Sequence, residues 1–126
     1  MNWSETVYPR IGETVFRATL PNALRIAVVP KPHYRKRYAF FATRYGGMDM
    51  RFRLGGEWRD TPAGIAHYLE HKMFDTEDGS ALQELSRNGA EPNAFTANAL
   101  TAYYFDCTEH FEENLRILLS FVSVPY

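Results

Sequence analysis

Thr61–Phe74 reads TPAGIAHYLEHKMF, and the interpretation of these fourteen residues decides the fold. Threonine is a good helix N-cap and proline is tolerated in a first helical turn, so the stretch predicts a helix from Thr61 to about Phe74. It carries His67, Glu70 and His71 in the spacing H-x-x-E-H. Residues three and four apart share a helix face, so both imidazoles and the carboxylate project to one side. Ile65, Leu69 and Met73 form an i, i+4, i+8 apolar stripe, expected to bury the helix on the side away from the histidines. Lys72 lies roughly 100° around the helix from His71 and need not repel a cation held there. Two imidazoles one turn apart can hold a metal ion at roughly 2 Å each, and a carboxylate beside them can serve as a base. Chance would place this triple in a chain of such length on the order of a few times per thousand.

Downstream, Asp75 to Gly79 breaks the helix. Ser80 and Gln83 have capping-box spacing and Gly89 stops the pattern, which predicts a second helix over 80–88. Ala90–Thr96 and Leu100–Cys107 read as strands joined by Ala97-Asn98-Ala99; Thr, Tyr and Phe favour the second. Thr108 is expected to cap a last helix on which Phe111, Leu115, Leu118 and Val122 line one face, with Glu109, Glu112 and Glu113 near its positive end. Upstream, Thr14–Leu20 alternates, Pro21-Asn22 signals a turn and Leu24–Val29 follows, so 14–29 reads as a hairpin. Tyr38–Tyr45 is a third strand ended by Gly46-Gly47, and Met48–Arg59 reads as a loop or a short excursion. Residues 1–13 read as a leader that packs, if at all, through Trp3, Val7 and Tyr8. The order β-β-β-α-α-β-β-α, with hairpins implying antiparallel pairing, predicts an α+β fold in which helices cover an antiparallel sheet.

The 126 residues suffice for one domain, with 45% apolar residues and a net charge of −1 that offers no general argument for nucleic acid or an anionic membrane as partner. The one basic cluster, Lys31–Arg37 (KPHYRKR), reads as a solvated loop, since no basic face continues elsewhere. Cys107 is the single cysteine, which excludes an internal disulfide and suits a reducing compartment. No stretch resembles a signal peptide or approaches bilayer-spanning length, so a cytoplasmic location is expected.

These residues carry a resemblance to the pitrilysin and insulysin family of metallopeptidases, whose inverted motif is H-x-x-E-H. Gly64 precedes the motif at the family's spacing in GIAHYLEHKMF. Gly89–Thr96 (GAEPNAFT) resembles the family's Gly…Asn-Ala-x-Thr strand, and Thr101–Tyr104 its following strand. The likeness covers about residues 14–126 and is closest to small bacterial members. It implies a pitrilysin-like half-domain over 14–126, the N-terminal portion of a catalytic domain. It also implies a zinc-dependent endopeptidase in which His67 and His71 are metal ligands and Glu70 the base that activates water. Asn93, Ala94 and Phe95 would lie on an edge strand that pairs with an extended peptide substrate. From its own residues, NAFT fits an ordinary hairpin strand equally well. Tyr103 and Tyr104 read as core and surface aromatics.

The family's third zinc ligand is a glutamate on a helix farther along than residue 126. Glu77, Glu84, Glu91, Glu109, Glu112 and Glu113 do not stand in its position, and His33 and His110 sit in a loop and at a helix start. The chain is therefore expected to be inactive alone, and an exposed sheet edge favours homo- or hetero-oligomers. The alternative is a non-catalytic partner subunit or scaffold of the same fold, against which the intact triple argues. Histidine and carboxylate also suit manganese or cobalt.

Overall fold

The computed structural model describes all 126 residues, in two compact units, Met1–Arg35 and Lys36–Tyr126. The first unit is a three-stranded antiparallel meander of β1 (Ser4–Tyr8), β2 (Glu13–Thr19) and β3 (Arg25–Val28). The expected hairpin is β2–β3. Its turn is closed by Leu20 N–H donating to Leu24 C=O at 2.8 Å, and Asn22 Oδ1 accepts the Leu24 N–H at 3.1 Å. Ser4–Tyr8 departs from the leader reading. Val7 and Tyr8 are good strand formers, and the segment pairs along its length with β2, from Ser4↔Arg17 to Tyr8↔Glu13.

The second unit is built on an antiparallel sheet in the order β4 (Arg37–Thr43), β10 (Thr101–Cys107), β9 (Glu91–Thr96), with β10 in the centre. Side chains alternate across a strand, so each faces two environments. Ala39, Tyr103, Phe105 and Cys107 on one face are buried together with Phe74, Leu85, Leu118 and Phe121. Those partners come from the end of α1 (Ile65–Met73), from α2 (Ala81–Arg87) and from α3 (Phe111–Ser123). The opposite face is aromatic and wetter: Tyr38, Phe40, Phe95 and Tyr104 lie with neighbouring ring centroids 5.6–6.4 Å apart. The expected α+β architecture, helices over an antiparallel sheet, is therefore present. No helix is long and apolar enough to cross a membrane.

Four expectations shift. Met48–Arg59 is not a plain loop: β5 (Arg51–Leu54) and β6 (Glu57–Asp60) form a hairpin through Gly55-Gly56. Both turn glycines have positive φ, 60° and 84°, as a two-residue hairpin turn of the primed type demands. The hairpin is held by its backbone ladder, with the Arg51 guanidinium over Trp58, an exposed Arg51–Asp60 ion pair and an edge contact of Phe52 with Tyr45 as its side-chain contacts. Thr61 closes this excursion instead of capping α1; its N–H donates to Met50 C=O at 2.7 Å. The helix begins four residues later, with Gly64 at the N-cap in a left-handed conformation. Asp75–Gly79 contains the short strands β7 (Asp75–Thr76) and β8 (Gly79–Ser80), and Ser80 precedes α2 without a side-chain capping bond. At α3 the N-cap is His110, two residues past Thr108.

Gly46 ties the chain to the turn after β9. Gly47 and Met48 N–H groups donate to the carbonyls of Ala97 and Asn98 at 2.8 and 2.9 Å. A Cβ on Gly46 would lie 2.4 Å from Ala97 O, so only glycine permits this approach. The anchor holds the far end of β9, where the site lies.

Candidate metal centre

The helix α1 places all three motif residues within two turns. Its buried residues are Ala66 and Glu70, whereas Leu69 is 40% exposed and Ile65 and Met73 are half-buried. The inward face is thus Ala66 and Glu70 with Met73, which packs against the core, and of the predicted Ile65–Leu69–Met73 stripe Leu69 lies outward. Small Ala66 lets the helix lie against β9, and Glu70 can be buried because its charge is partnered. The Thr96 hydroxyl donates to Glu70 Oε2 at 2.5 Å, a length expected of a charge-assisted O–H···O⁻ bond. The bond joins residues 26 apart in sequence, one on the helix and one at the end of β9.

His67 and His71 stand on the exposed flank of the same helix. Their rings stack with centroids 4.9 Å apart and planes 8° from parallel, and their Nε2 atoms approach to 2.9 Å. Two neutral imidazoles can meet this way with one donating to the other, or with both lone pairs turned onto a shared cation. The donor set therefore suits a zinc ion on two points. Lys72 is drawn off to Asp75 Oδ2 at 3.2 Å and does not compete for that position. A catalytic zinc site takes three protein ligands and keeps one place open. No group of three histidine, cysteine, aspartate or glutamate side chains suited to hold a metal occurs in the chain. Glu70 is turned into its bond with Thr96, and none of Glu77, Glu84, Glu91, Glu109, Glu112 or Glu113 gathers with the imidazoles.

Asn93, Ala94 and Phe95 lie on β9, an edge strand whose only partner is β10. Ala94 packs inward against the core, while Asn93 and Phe95 face out. The Asn93 amide oxygen accepts its neighbour's Ala94 N–H at 2.8 Å, which occupies a donor on this strand. Thr96 escaped the sequence reading. Its signal was its phase: it shares the inward side of β9 with Pro92 and Ala94.

Tyr103 is buried beside this cluster, and its hydroxyl is pushed up to about 12, first by burial and then by the Glu70 carboxylate. A folded-state value above the ordinary 10.0 means that the neutral phenol stabilises the fold fully below pH 10.0, and that this contribution is lost as pH rises toward about 12. Titration by tyrosinate absorbance is expected to show Tyr103 ionising last, with Tyr38 also displaced upward, first by burial. Glu70→Gln should lower the Tyr103 midpoint only partway, because burial persists. Ionisation of Tyr103 in step with the exposed tyrosines would contradict this placement.

A helix bearing H-x-x-E-H, laid against an edge strand of an antiparallel sheet, defines the inverted class of metallopeptidase helix. Residues 55–125 match the family model described as Insulinase (Peptidase family M16). The chain belongs to this family. It is 45% identical over 121 residues to the zinc protease YmfH of Bacillus subtilis (strain 168), covering 94% of this chain. A crystal structure of an M16-like peptidase from Alicyclobacillus acidocaldarius superposes over 100% of the chain with a TM-score of 0.84 and 33% identity. The crystal structure of pitrilysin, at 19% identity, shares the fold over 99% of the chain with a TM-score of 0.75. The chain spans 28% of YmfH, 27% of the Alicyclobacillus chain and 14% of pitrilysin.

Proposed function

We propose that these residues form the zinc- and water-handling part of a metalloendopeptidase. The observation that carries the reading is the convergence of His67 and His71 Nε2 at 2.9 Å beside a buried, oriented Glu70. His67 and His71 hold the ion through neutral nitrogens. The third ligand comes from outside these residues, so the chain alone does not hydrolyse peptides. Zinc, when bound, lowers the pKa of an adjacent water and polarises the peptide carbonyl. Glu70 takes the proton from that water at the carboxylate oxygen that Thr96 leaves free, and returns it to the leaving amine. The substrate is an extended peptide that adds to the outer edge of β9 at Asn93, Ala94 and Phe95. Any bond it makes to the Ala94 N–H must displace the Asn93 amide.

Zinc titration of the 126-residue chain tests the ligand set. The expected result is weak, micromolar binding that His71→Ala removes. Nanomolar zinc on a monomer would place a third ligand within the chain and sink this assignment; Glu-to-Gln changes would then locate it.

A further inference from the structure

Glu70 is 9% exposed, and its only hydrogen-bond partner is the Thr96 hydroxyl. A carboxylate turns about a broad, roughly two-fold terminal torsion, so burial alone does not fix the direction of its oxygens. One short bond to Oε2 does. The donor is itself constrained: a β-branched side chain within a strand has few χ1 rotamers, and Thr96 ends a strand anchored to β10 by the pair Thr101↔Thr96. The turn beyond it is held by the Gly47 and Met48 N–H bonds. We propose that Thr96 is the positioning residue for Glu70, holding one carboxylate oxygen so that the other is presented toward the water beside the histidine pair. The role rests on the reading of Glu70 as the base. It has a further consequence: Thr96 follows Phe95 directly, so the strand that would receive the peptide also aims the base, and β9 sets the position of one reactant against the other.

Two substitutions and two readouts test this. Thr96→Val keeps the shape and the β-branch but removes the hydroxyl; Thr96→Ser keeps the hydroxyl. In the 126-residue chain without metal, the 13C shift of the Glu70 side-chain carboxyl is expected to carry the signature of the short bond from Thr96. It should move in Thr96→Val and return in Thr96→Ser. In the complete peptidase, Thr96→Val should lower kcat about 10- to 100-fold with KM and zinc content unchanged, and Thr96→Ser should restore most of the rate. An unmoved Glu70 carboxyl shift or full kcat in Thr96→Val overturns the positioning role. So does a Thr96→Val loss that Thr96→Ser does not rescue. The underlying reading fails separately: Glu70→Gln with full activity removes the base and this role with it, whereas an inactive Glu70→Gln beside a fully active Thr96→Val removes the positioning role alone.

Discussion

Replacing Glu70 with glutamine in the complete peptidase is expected to lower kcat/KM for a peptide substrate by about 10²- to 10⁴-fold while leaving zinc bound. Glutamine has nearly the same shape, and its amide oxygen can still accept the Thr96 hydroxyl, so the buried position between α1 and β9 remains filled and bonded. The imidazoles of His67 and His71 stand on the exposed flank and do not contribute to that bond, so their Nε2 convergence is preserved. What glutamine lacks is a site for the proton. A defect confined to proton transfer lowers kcat without removing the metal, and this would separate Glu70 from the histidines, whose replacement is expected to take the zinc as well. Initial rates on a quenched fluorescent peptide, with zinc per chain measured by elemental analysis, read both quantities. Glu84→Gln on α2 serves as the control for a change of charge away from the site and should leave the rate unaltered. Full activity in Glu70→Gln would remove Glu70 as the base. Loss of zinc in the same variant would instead make it a ligand.

Much of the site-bearing scaffold was legible because the signals were local and redundant. The strand β10 is rich in strand formers and is separated from β9 by one short connection, and α3 carries apolar residues at helical spacing, with Asn114 buried among them. The H-x-x-E-H spacing needs no tertiary information, since helix periodicity alone brings His67 and His71 one turn apart. The direction in which α1 faces was not legible. Hydrophobic periodicity pointed to Ile65, Leu69 and Met73, but of these only Met73 packs against the core, beside the buried Ala66 and Glu70. A charged residue can turn inward when a partner awaits it, and Thr96, 26 residues away, becomes visible as that partner only once β9 lies beside α1. The helix orientation and the Thr96 bond are thus one fact seen from two sides, and local pattern reaches neither.

The other differences have the same origin. β1 consists of Ser, Glu, Thr, Val and Tyr near the N-terminus, too short and too polar to stand out until β2 supplies its partner. β5 and β6 are almost wholly exposed, so no apolar alternation marked them; the Gly55-Gly56 pair between them was the sufficient cue. Thr61, Thr108 and the Ser80–Gln83 pair are good capping residues, but none makes a side-chain capping bond, and the N-cap positions fall at Gly64, Ser80 and His110.

Phe105→Ala is expected to be the most damaging single truncation, costing about 3–5 kcal/mol. Phe105 is 0% exposed at the middle of the central strand. Its cross-strand neighbours are Ala39 on β4 and Pro92 on β9, both small, so no adjacent side chain on the sheet can swing in to fill the space. The ring instead meets Phe111 of α3, with centroids 5.9 Å apart, within the cluster that includes Leu85 and Leu118. A cavity there separates sheet from helices, and the loss is a large share of the roughly 5–15 kcal/mol by which a domain is stable. Tyr104, the next residue, points to the opposite face among Tyr38, Phe40 and Phe95, where solvent can enter. Tyr104→Ala should therefore cost clearly less. Urea unfolding of the two variants followed by circular dichroism makes the comparison, with midpoints shifted and slopes retained. Equal losses would mean that both faces of the sheet are buried in solution. The larger loss at Phe105 carries through to chemistry: β10 holds β9 in register, β9 presents Thr96, and Thr96 holds Glu70. Opening the core behind β10 should thus loosen Glu70 while leaving the two exposed imidazoles on their own helix.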